Sequence, residues 1–217
     1  MRIIENKAKT ILRKFKKIDS WFVSRYGMNL YRGCLHNCVY CDGRADKYQV
    51  EGEFGKDITV KTNAVEVLER ELDPSRKRTP LKKGYILIGG GVGDSYQHPE
   101  KKYQLTRRVI EMLAKSSIPM HILTKSPLVE RDMELLASAH RKSGVLVSIS
   151  FSTVDDKLAR QFEPGVPSPT ERLKILAKLK QQGVPCGMFL MPVIPLITDT
   201  SELIDRAFSE AATIDLD

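Results

Sequence analysis

The stretch YILIGGG, residues 85–91, decides the fold class of this chain. Four apolar residues followed by three glycines are typical of a strand that is buried on both faces. Four more segments are predicted to be strands, at residues 24–31, 120–124, 145–151 and 186–194. Segments with helical character alternate with them, at residues 63–72, 99–116, 128–140, 170–182 and 201–212. This alternation predicts an α/β fold with helices covering a parallel sheet, either doubly wound or part of a barrel.

The unusual residues of the chain lie where the predicted strands end, which is where parallel α/β sheets bind their ligands. A cysteine loop follows the first strand, three glycines and Asp94 follow the second, and Lys125 follows the third. Ser148 and Ser150 alternate with Ile149 in the fourth strand, so both are expected on its inward face. Buried hydroxyl groups need hydrogen-bond partners, and a bound ligand is one candidate.

The cysteine loop reads CLHNCVYC and carries Cys34, Cys38 and Cys41. Three clustered cysteines and one distant cysteine do not resemble a disulfide framework, and they indicate a metal site. Iron–sulfur clusters normally have four thiolate ligands. Because Cys186 is remote in sequence, the spacing predicts one iron without a protein ligand, open to a substrate. Tyr40, between two ligands, is expected to shield the cluster from water.

Two other classes of function compete with a cluster that binds a substrate. The first is a zinc-dependent nucleic-acid-binding module in which His36 is the fourth ligand. Structural zinc sites usually take their ligands as two separated pairs, which this loop does not offer. His36 is therefore expected to be a loop residue at the cluster edge. The second is an iron–sulfur electron carrier, although carriers supply all four ligands from the protein.

Composition places the chain among soluble, single-domain proteins. Of its 217 residues 41% are hydrophobic, and the formal net charge of +8 suits an acidic partner such as nucleic acid. Residues 1–23 are interpreted as a basic leader, and residues 24–217 as the single domain. No apolar run is long enough for a membrane span, and the start lacks the features of a secretory signal. A cytoplasmic location without membrane contact is therefore expected.

The three-cysteine motif, with an aromatic residue before its last cysteine, resembles that of the radical S-adenosylmethionine (SAM) superfamily. Other segments resemble the spore photoproduct lyase-related branch of that superfamily, and they occur in the same order. These segments are NLYRGC at 29–34, GDSYQ at 93–97, LTKSPL at 123–128, EP at 163–164, SP at 168–169 and PVIP at 192–195. Together they extend over most of the chain.

The resemblance implies a partial parallel (β/α) barrel with a [4Fe-4S] cluster at its top. It implies that SAM chelates the open iron. An electron from a donor such as ferredoxin or flavodoxin then cleaves SAM, and the resulting 5′-deoxyadenosyl radical takes a hydrogen atom from a substrate. The substrate is unassigned, and repair or modification of a nucleic acid competes with modification of a protein or small molecule.

The resemblance also assigns roles to individual residues. The cluster ligands are the three loop cysteines, and Lys125 contacts the SAM carboxylate. Ser148 and Ser150 contact its ribose or carboxylate. Asp94 and Tyr96 lie where the substrate is expected and are the candidate catalytic residues. The backbone of Gly89, Gly90 and Gly91 binds the methionine amino group.

Two departures from the family pattern are visible. Spore photoproduct lyases proper use a cysteine as hydrogen donor near the end of the second strand, where this chain reads GGGVG at 89–93. Cys186 is expected instead to be a small buried apolar residue. The family barrel has six strands and only five are predicted here. We therefore expect the sixth strand to be missing and the chain to be a fragment of a longer protein.

Overall fold

The computed structural model describes residues 1–76, 81–90 and 92–216, which form nine strands and seven α-helices. The strands are β1 Arg2–Asn6, β2 Arg13–Asp19, β3 Ser24–Met28, β4 Tyr31–Arg32, β5 Asp57–Lys61, β6 Tyr85–Ile88, β7 Met120–Thr124, β8 Val145–Phe151 and β9 Cys186–Leu190. The helices are α1 Ala64–Leu72, α2 Glu100–Tyr103, α3 Leu105–Lys115, α4 Met133–Ser143, α5 Asp156–Phe162, α6 Pro169–Gln181 and α7 Ser201–Thr213. No helix in these ranges combines the length and apolarity that crossing a bilayer requires.

The larger sheet has six strands in the order β2-β3-β6-β7-β8-β9. β3, β6, β7, β8 and β9 are mutually parallel, which confirms the five predicted parallel strands. β2 adds to them as an antiparallel edge strand. Among the described residues β2 and β9 are the two edges, so the sheet is a partial barrel, as predicted.

The two faces of the larger sheet differ in polarity. On the face that packs against the helices, Ile88 pairs with Ile122 and Ile122 with Val147, and all three side chains are fully buried. The inward face carries polar side chains, among them His121 and Ser148. Burial of the apolar face drives the packing of sheet and helices, whereas the polar inward face is available for ligands.

Residues 1–23, predicted as a basic leader, contribute two strands to the folded structure. β1 pairs in parallel with β5, which also pairs with β4 to form a second, three-stranded sheet. The linker between β1 and β2 is attached to α1, because the Glu71 carboxylate accepts hydrogen bonds from the backbone N–H groups of Ile11 and Leu12. This segment is therefore part of the packed fold.

Several predicted elements differ in their bounds. The helix predicted over residues 99–116 is divided into α2 and α3 at Gln104, whose left-handed φ of 50° interrupts it. The helix predicted from residue 128 begins as a 3-10 turn, Pro127–Asp132. The last predicted strand ends at Leu190. α6 begins sharply because the Ser168 side chain accepts from the Glu171 backbone while Glu171 bonds back to Ser168, a capping box.

Replacing Glu71 with alanine tests whether the N-terminal segment belongs to the fold. The change removes a charged acceptor from two backbone N–H groups, and we expect a loss of about 1–2 kcal/mol of unfolding free energy. Urea denaturation measures it, and amide hydrogen exchange at Ile11 and Leu12 should accelerate. Glu69→Ala on the exposed face of α1 is the matched control. Equal effects of the two changes would contradict an anchoring role for Glu71.

Candidate active site

The three loop cysteines line one cavity at the carboxyl ends of the parallel strands. Its volume is about 310 Å³, and Lys125 and Ser150 line it as well. Cys34 and Cys38 are buried, Cys41 is half-buried, and all three are free thiols. The structure therefore brings together five residues that the sequence analysis assigned to one site.

The cysteine loop is packed too closely to its surroundings to adopt many conformations. Gly33 has a φ of 83°, and a Cβ there would lie 2.7 Å from the backbone oxygen of Asp57. A Cβ on Gly165 would lie 2.6 Å from the backbone oxygen of Leu35. The Leu35 N–H donates to the side-chain oxygen of Gln97 at 3.0 Å. Glycine at these two positions thus permits the close approach that holds the loop.

The buried Asp94 carboxylate connects the cysteine loop to the strand ends. It accepts hydrogen bonds from His36 Nε2 at 2.9 Å, from the Tyr96 and Lys125 backbone N–H groups at 2.8 Å each, and from the Thr124 hydroxyl at 2.7 Å. Burial acts to raise the pKa of Asp94, but His36 and the backbone donors outweigh it, and the pKa is lowered. Asp94 lines the cavity, and its hydrogen bonds make it an organising group there.

His36 joins two parts of the chain through its ring. Nε2 lies 2.9 Å from the Asp94 carboxylate and Nδ1 lies 3.1 Å from the backbone oxygen of Gly165. Both partners can accept a hydrogen bond, so both ring nitrogens are placed to donate one. Burial lowers the pKa of His36, but the Asp94 charge together with the hydrogen bonds to Asp94 and Gly165 outweighs burial, and the pKa is raised. His36 is therefore more than the edge-of-loop residue that the sequence suggested.

Tyr96, predicted as a catalytic residue, does not line the cysteine cavity. Its side chain is completely buried, and its hydroxyl donates to Asp132 at 3.1 Å. The Arg131 guanidinium lies 6.0 Å from the ring centroid. These contacts hold the 3-10 turn that precedes α4, which is a structural role.

Lys125 lies in the cavity wall as part of a hydrogen-bonded group. Its Nζ donates to Ser150 Oγ at 2.7 Å and forms an ion pair with Glu163 Oε1 at 3.2 Å. It also lies 5.9 Å from the centroid of the Tyr40 ring, whose hydroxyl donates to the same carboxylate. Two of the three ammonium N–H groups thus have partners among the described residues, and the third can serve a ligand. Burial lowers the pKa of Lys125, against the effect of Glu163.

A buried arginine, Arg172, contacts both Glu163 and the backbone of Ser150. Arg172 is fully buried, and its Nη2 donates to Glu163 Oε2 at 2.5 Å. Its Nη1 donates to the backbone oxygen of Ser150, and its guanidinium lies 4.7 Å from the Phe151 ring centroid. A buried ion pair of this kind is costly to break, because either partner alone would remain charged away from water.

Ser148 does not line the cavity, unlike Ser150. Its hydroxyl lies 2.8 Å from His121 Nε2, so a neighbouring strand supplies the partner that a ligand was predicted to supply. Ser150 has protein partners too, since it also donates to the Met191 backbone oxygen at 3.0 Å. The two serines share a face but differ in their distance from the cysteine loop.

The glycines after β6 divide between two cavities. Gly90 lines the cysteine cavity, whereas Gly89 lines only the adjoining one. Gly89 has a φ of 65°, and a Cβ there would lie 2.6 Å from Ser95 Oγ, so a close turn requires glycine. Gly91, predicted to act with them, lies outside the described residues.

A family model described as the radical SAM superfamily matches residues 28–207. The chain belongs to the radical SAM superfamily. An uncharacterized protein of Mycobacterium tuberculosis is 35% identical over 192 residues, which is 87% of this chain and 55% of that protein. An uncharacterized protein of Methanocaldococcus jannaschii is 30% identical over 182 residues, covering 83% of this chain and 65% of that protein. The chain thus spans a little more than half the length of these relatives.

Solved structures of spore photoproduct lyase have the same fold. A mutant of that enzyme matches with a TM-score of 0.70 at 18% identity, over 99% of this chain and 58% of the other. A second mutant, with bound AdoMet and dinucleoside spore photoproduct, matches with a TM-score of 0.65 at 17% identity, over 98% of this chain and 57% of the other. At this identity the likeness demonstrates the fold.

The cysteine cavity fits the cluster that radical SAM proteins hold. In the described residues, no group of three or more His, Cys, Asp and Glu side chains converges on a single metal ion. The ligands of a four-iron cluster bind different irons, so they surround a cavity rather than a point. Burial raises the pKa of the Cys38 thiol to about 11, although Lys125 acts in the opposite direction. Cys186 lies elsewhere, with its Sγ 3.6 Å from the Leu176 backbone oxygen in α6.

Sequence reasoning missed Glu163 and Arg172 as parts of the site. Glu163 was noted only as part of a family segment, and Arg172 was taken for a residue of an amphipathic helix. Both are buried charges, and the sequence offers no signal for burial of a charged residue.

Replacing Glu163 with alanine should destabilise the protein strongly. The change leaves the Arg172 charge buried without its carboxylate, and we expect a loss of about 3–5 kcal/mol in unfolding free energy. Glu130→Ala is the matched control, because Glu130 pairs with Lys178 at the surface and should contribute less than about 1 kcal/mol. Denaturation curves of the two variants that coincide would show that the buried pair does not anchor the site.

Proposed function

We propose that this chain is the catalytic domain of an enzyme that reductively cleaves SAM and abstracts a hydrogen atom from a substrate. The observation that carries the proposal is the cavity in which three cysteine thiols lie near the Lys125 ammonium group. Two of its three N–H groups have partners among the described residues. The superfamily match supports it. The same match argues against an electron carrier and against a zinc module.

Cys34, Cys38 and Cys41 would hold a [4Fe-4S] cluster by three of its irons. The fourth cysteine of the chain, Cys186, lies on β9 and does not line the cavity, so among the described residues no fourth thiol is offered. When bound, the cluster and SAM together supply a 5′-deoxyadenosyl radical that removes a hydrogen atom from the substrate. The protein contributes position, charge and exclusion of water.

Lys125 and Ser150 would orient SAM within the cavity. The ammonium N–H of Lys125 that has no partner among the described residues can donate to the SAM carboxylate, which makes a charge-assisted bond. Glu163 holds the ammonium in place, and Tyr40 is fixed by the same carboxylate at the cavity wall. Gly90 leaves its backbone accessible to the methionine amino group.

Apolar side chains would protect the reacting centre from water. Leu123, Met191 and Pro192 line the cavity together with the cysteines. Leu123 is buried on the inward face of β7, and Met191 is held by the backbone of Phe151. A wall of this kind limits side reactions of a reactive species. Asp94 would act as a positioning residue, because its carboxylate oxygens already accept hydrogen bonds from the protein.

The finer parts of the proposal concern the partners. We propose a nucleic acid or its component as substrate, which the net charge of +8 supports. A neighbouring solved structure is spore photoproduct lyase complexed with dinucleoside spore photoproduct. We also propose that a reducing protein such as ferredoxin or flavodoxin supplies the electron and that the enzyme acts in the cytoplasm.

Anaerobic reconstitution with iron and sulfide tests the central proposal. After reduction and addition of SAM, we expect 5′-deoxyadenosine to form, and Cys38→Ala to abolish it because one cluster ligand is lost. Cys186→Ala is the matched control and should retain the product, since that thiol lies outside the cavity. Retention of zinc in place of iron by the protein would reject the proposal.

Lys125→Met should weaken SAM binding by about ten- to a hundredfold, the value of a lost hydrogen bond between charged groups. Equilibrium dialysis with labelled SAM on the reconstituted protein measures it without turnover. Lys178→Met, which removes a surface ammonium paired with Glu130, is the control and should bind normally. Unchanged affinity in Lys125→Met would show that another group binds the carboxylate.

A further inference from the structure

We propose that the cavity between the β2–β3 hairpin and the end of β6 binds a nucleotide, with Phe15 against the base and Arg13 and Lys61 on the phosphate. This proposal rests on the proposed function in one respect only, since the nucleotide would be the substrate presented to the cysteine cavity. Its observations are separate from those of the cysteine loop.

The position of this second cavity is right for a substrate. Its volume is about 390 Å³, and it shares Gly90 and Val92 with the cysteine cavity. The two spaces are therefore neighbours along the loop after β6. A group bound in the second can extend into the first without crossing the sheet. Hydrogen abstraction requires such adjacency, because reacting atoms must lie in contact.

Aromatic rings form part of its wall. The Phe15 ring lies against β3 at Gly27, where a Cβ would meet it at 2.9 Å, so glycine makes room for the ring. Phe22 also lines the cavity and stacks on Phe189 of β9, with ring centroids 5.3 Å apart and an interplanar angle of 24°. Both rings are partly exposed. Such rings stack with bases regardless of their sequence.

Two cations without carboxylate partners line the same cavity. Among the described residues, neither Arg13 nor Lys61 takes part in a salt bridge, and Lys61 Nζ donates to the backbone oxygen of Asn29 at 2.5 Å. Lys61 is half-buried, and a cation that is partly removed from water is stabilised by an anionic partner, whereas Arg13 is exposed on β2. Arg32 lies near Lys61 and adds to the positive potential. A phosphate group would supply the missing negative charge.

The one acidic side chain of the hairpin lies at the opposite end of this cavity. Arg13 pairs with Gly27, near the carboxyl end of β3, whereas Asp19 pairs with Ser24 at its start. Asp19 is also occupied, because its carboxylate accepts from the backbone N–H groups of Trp21 and Phe22 at 2.9 Å each. The cationic end therefore faces the cysteine cavity.

The hairpin wall lies outside the region common to the superfamily. The family model begins at residue 28, so β2 and most of β3 precede it. The chemistry that the superfamily shares therefore does not require these residues. A segment that selects the substrate is expected to lie outside the shared region in this way. Nucleotide binding by the hairpin would also explain why the N-terminal segment is basic, since no residue of that segment lines the cysteine cavity.

A nucleotide can come from a nucleic-acid strand or from a free pool. Lys14, Lys16 and Lys17 are exposed on β2 beside the cavity, where they would follow a strand's backbone. A free nucleotide would use only the groups inside the cavity. Sensitivity to these exposed lysines therefore distinguishes the two sources.

Fluorescence anisotropy tests the proposal on the reconstituted full chain without reductant, so binding is read independently of SAM cleavage. The probe is a labelled single-stranded DNA of about ten nucleotides, a length within the range of single-strand sites. The competitors are AMP and TMP. Phe15→Leu should weaken binding by about five- to 150-fold, the value of one base–aromatic stack. Arg13→Gln is a second variant that does not depend on packing. Lys142→Gln, on the remote end of α4, is the charge-matched control and should bind normally.

Each outcome decides the proposal. Loss of binding in Phe15→Leu and Arg13→Gln, but not in Lys142→Gln, supports it. In that case, weakening by Lys16→Gln identifies a strand, and competition by AMP or TMP without that weakening identifies a free nucleotide. Absence of binding overturns the proposal, as does binding that Lys16→Gln weakens while Phe15→Leu does not. A chain that binds but forms no 5′-deoxyadenosine rejects the proposed function and leaves this cavity assigned.

Discussion

The buried carboxylate of Asp94 is the constraint on which the site depends. A carboxylate away from water is stable only when its oxygens accept hydrogen bonds, and removal of any donor leaves a charge uncompensated. Its donors come from three places: His36 in the cysteine loop, the backbone of Tyr96 in its own loop, and the end of β7 at Thr124 and Lys125. The cysteine loop and the strand ends are therefore fixed relative to each other by one anion.

A second buried carboxylate, Glu163, differs from Asp94 because one of the cations beside it remains available to a ligand. The carboxylate oxygens of Asp94 accept hydrogen bonds from His36, Thr124 and the backbone. Glu163 is balanced by two cations, of which Arg172 is fully buried while Lys125 lies in the cavity wall. Because Arg172 alone can compensate the carboxylate, the Lys125 charge can act partly on a ligand. The site thus has two parts. The part around Asp94 fixes the cysteine loop, and the part around Glu163 keeps the positive charge of Lys125 available to a ligand.

The sequence predicted those features that come from local pattern. The apolar runs of β6, β7 and β8 identify strands covered by helices, and three cysteines within eight residues identify the cluster loop whatever the fold. β2 was missed because an edge strand with both faces exposed carries charges in place of alternation. Hydrogen-bond partners that are far apart in the chain, such as Tyr40 and Glu163, could not be paired from the sequence. A sequence pattern shows which face a residue occupies and not how far it lies from a cavity, so it did not show that Tyr96 and Ser148 lie outside the cysteine cavity.

The cysteine cavity lies wholly within the family match, whereas the hairpin that forms one wall of the second cavity lies mostly before it. Residues within the match supply the thiols, the buried carboxylates and the ammonium, all of which act on groups that do not vary between substrates. The hairpin before it supplies an aromatic and cationic wall to the adjoining space. A reactive species generated in one place can serve many substrates only if recognition is built elsewhere but within contact distance. Gly90 and Val92 meet that requirement, because both residues line the cysteine cavity and the second cavity.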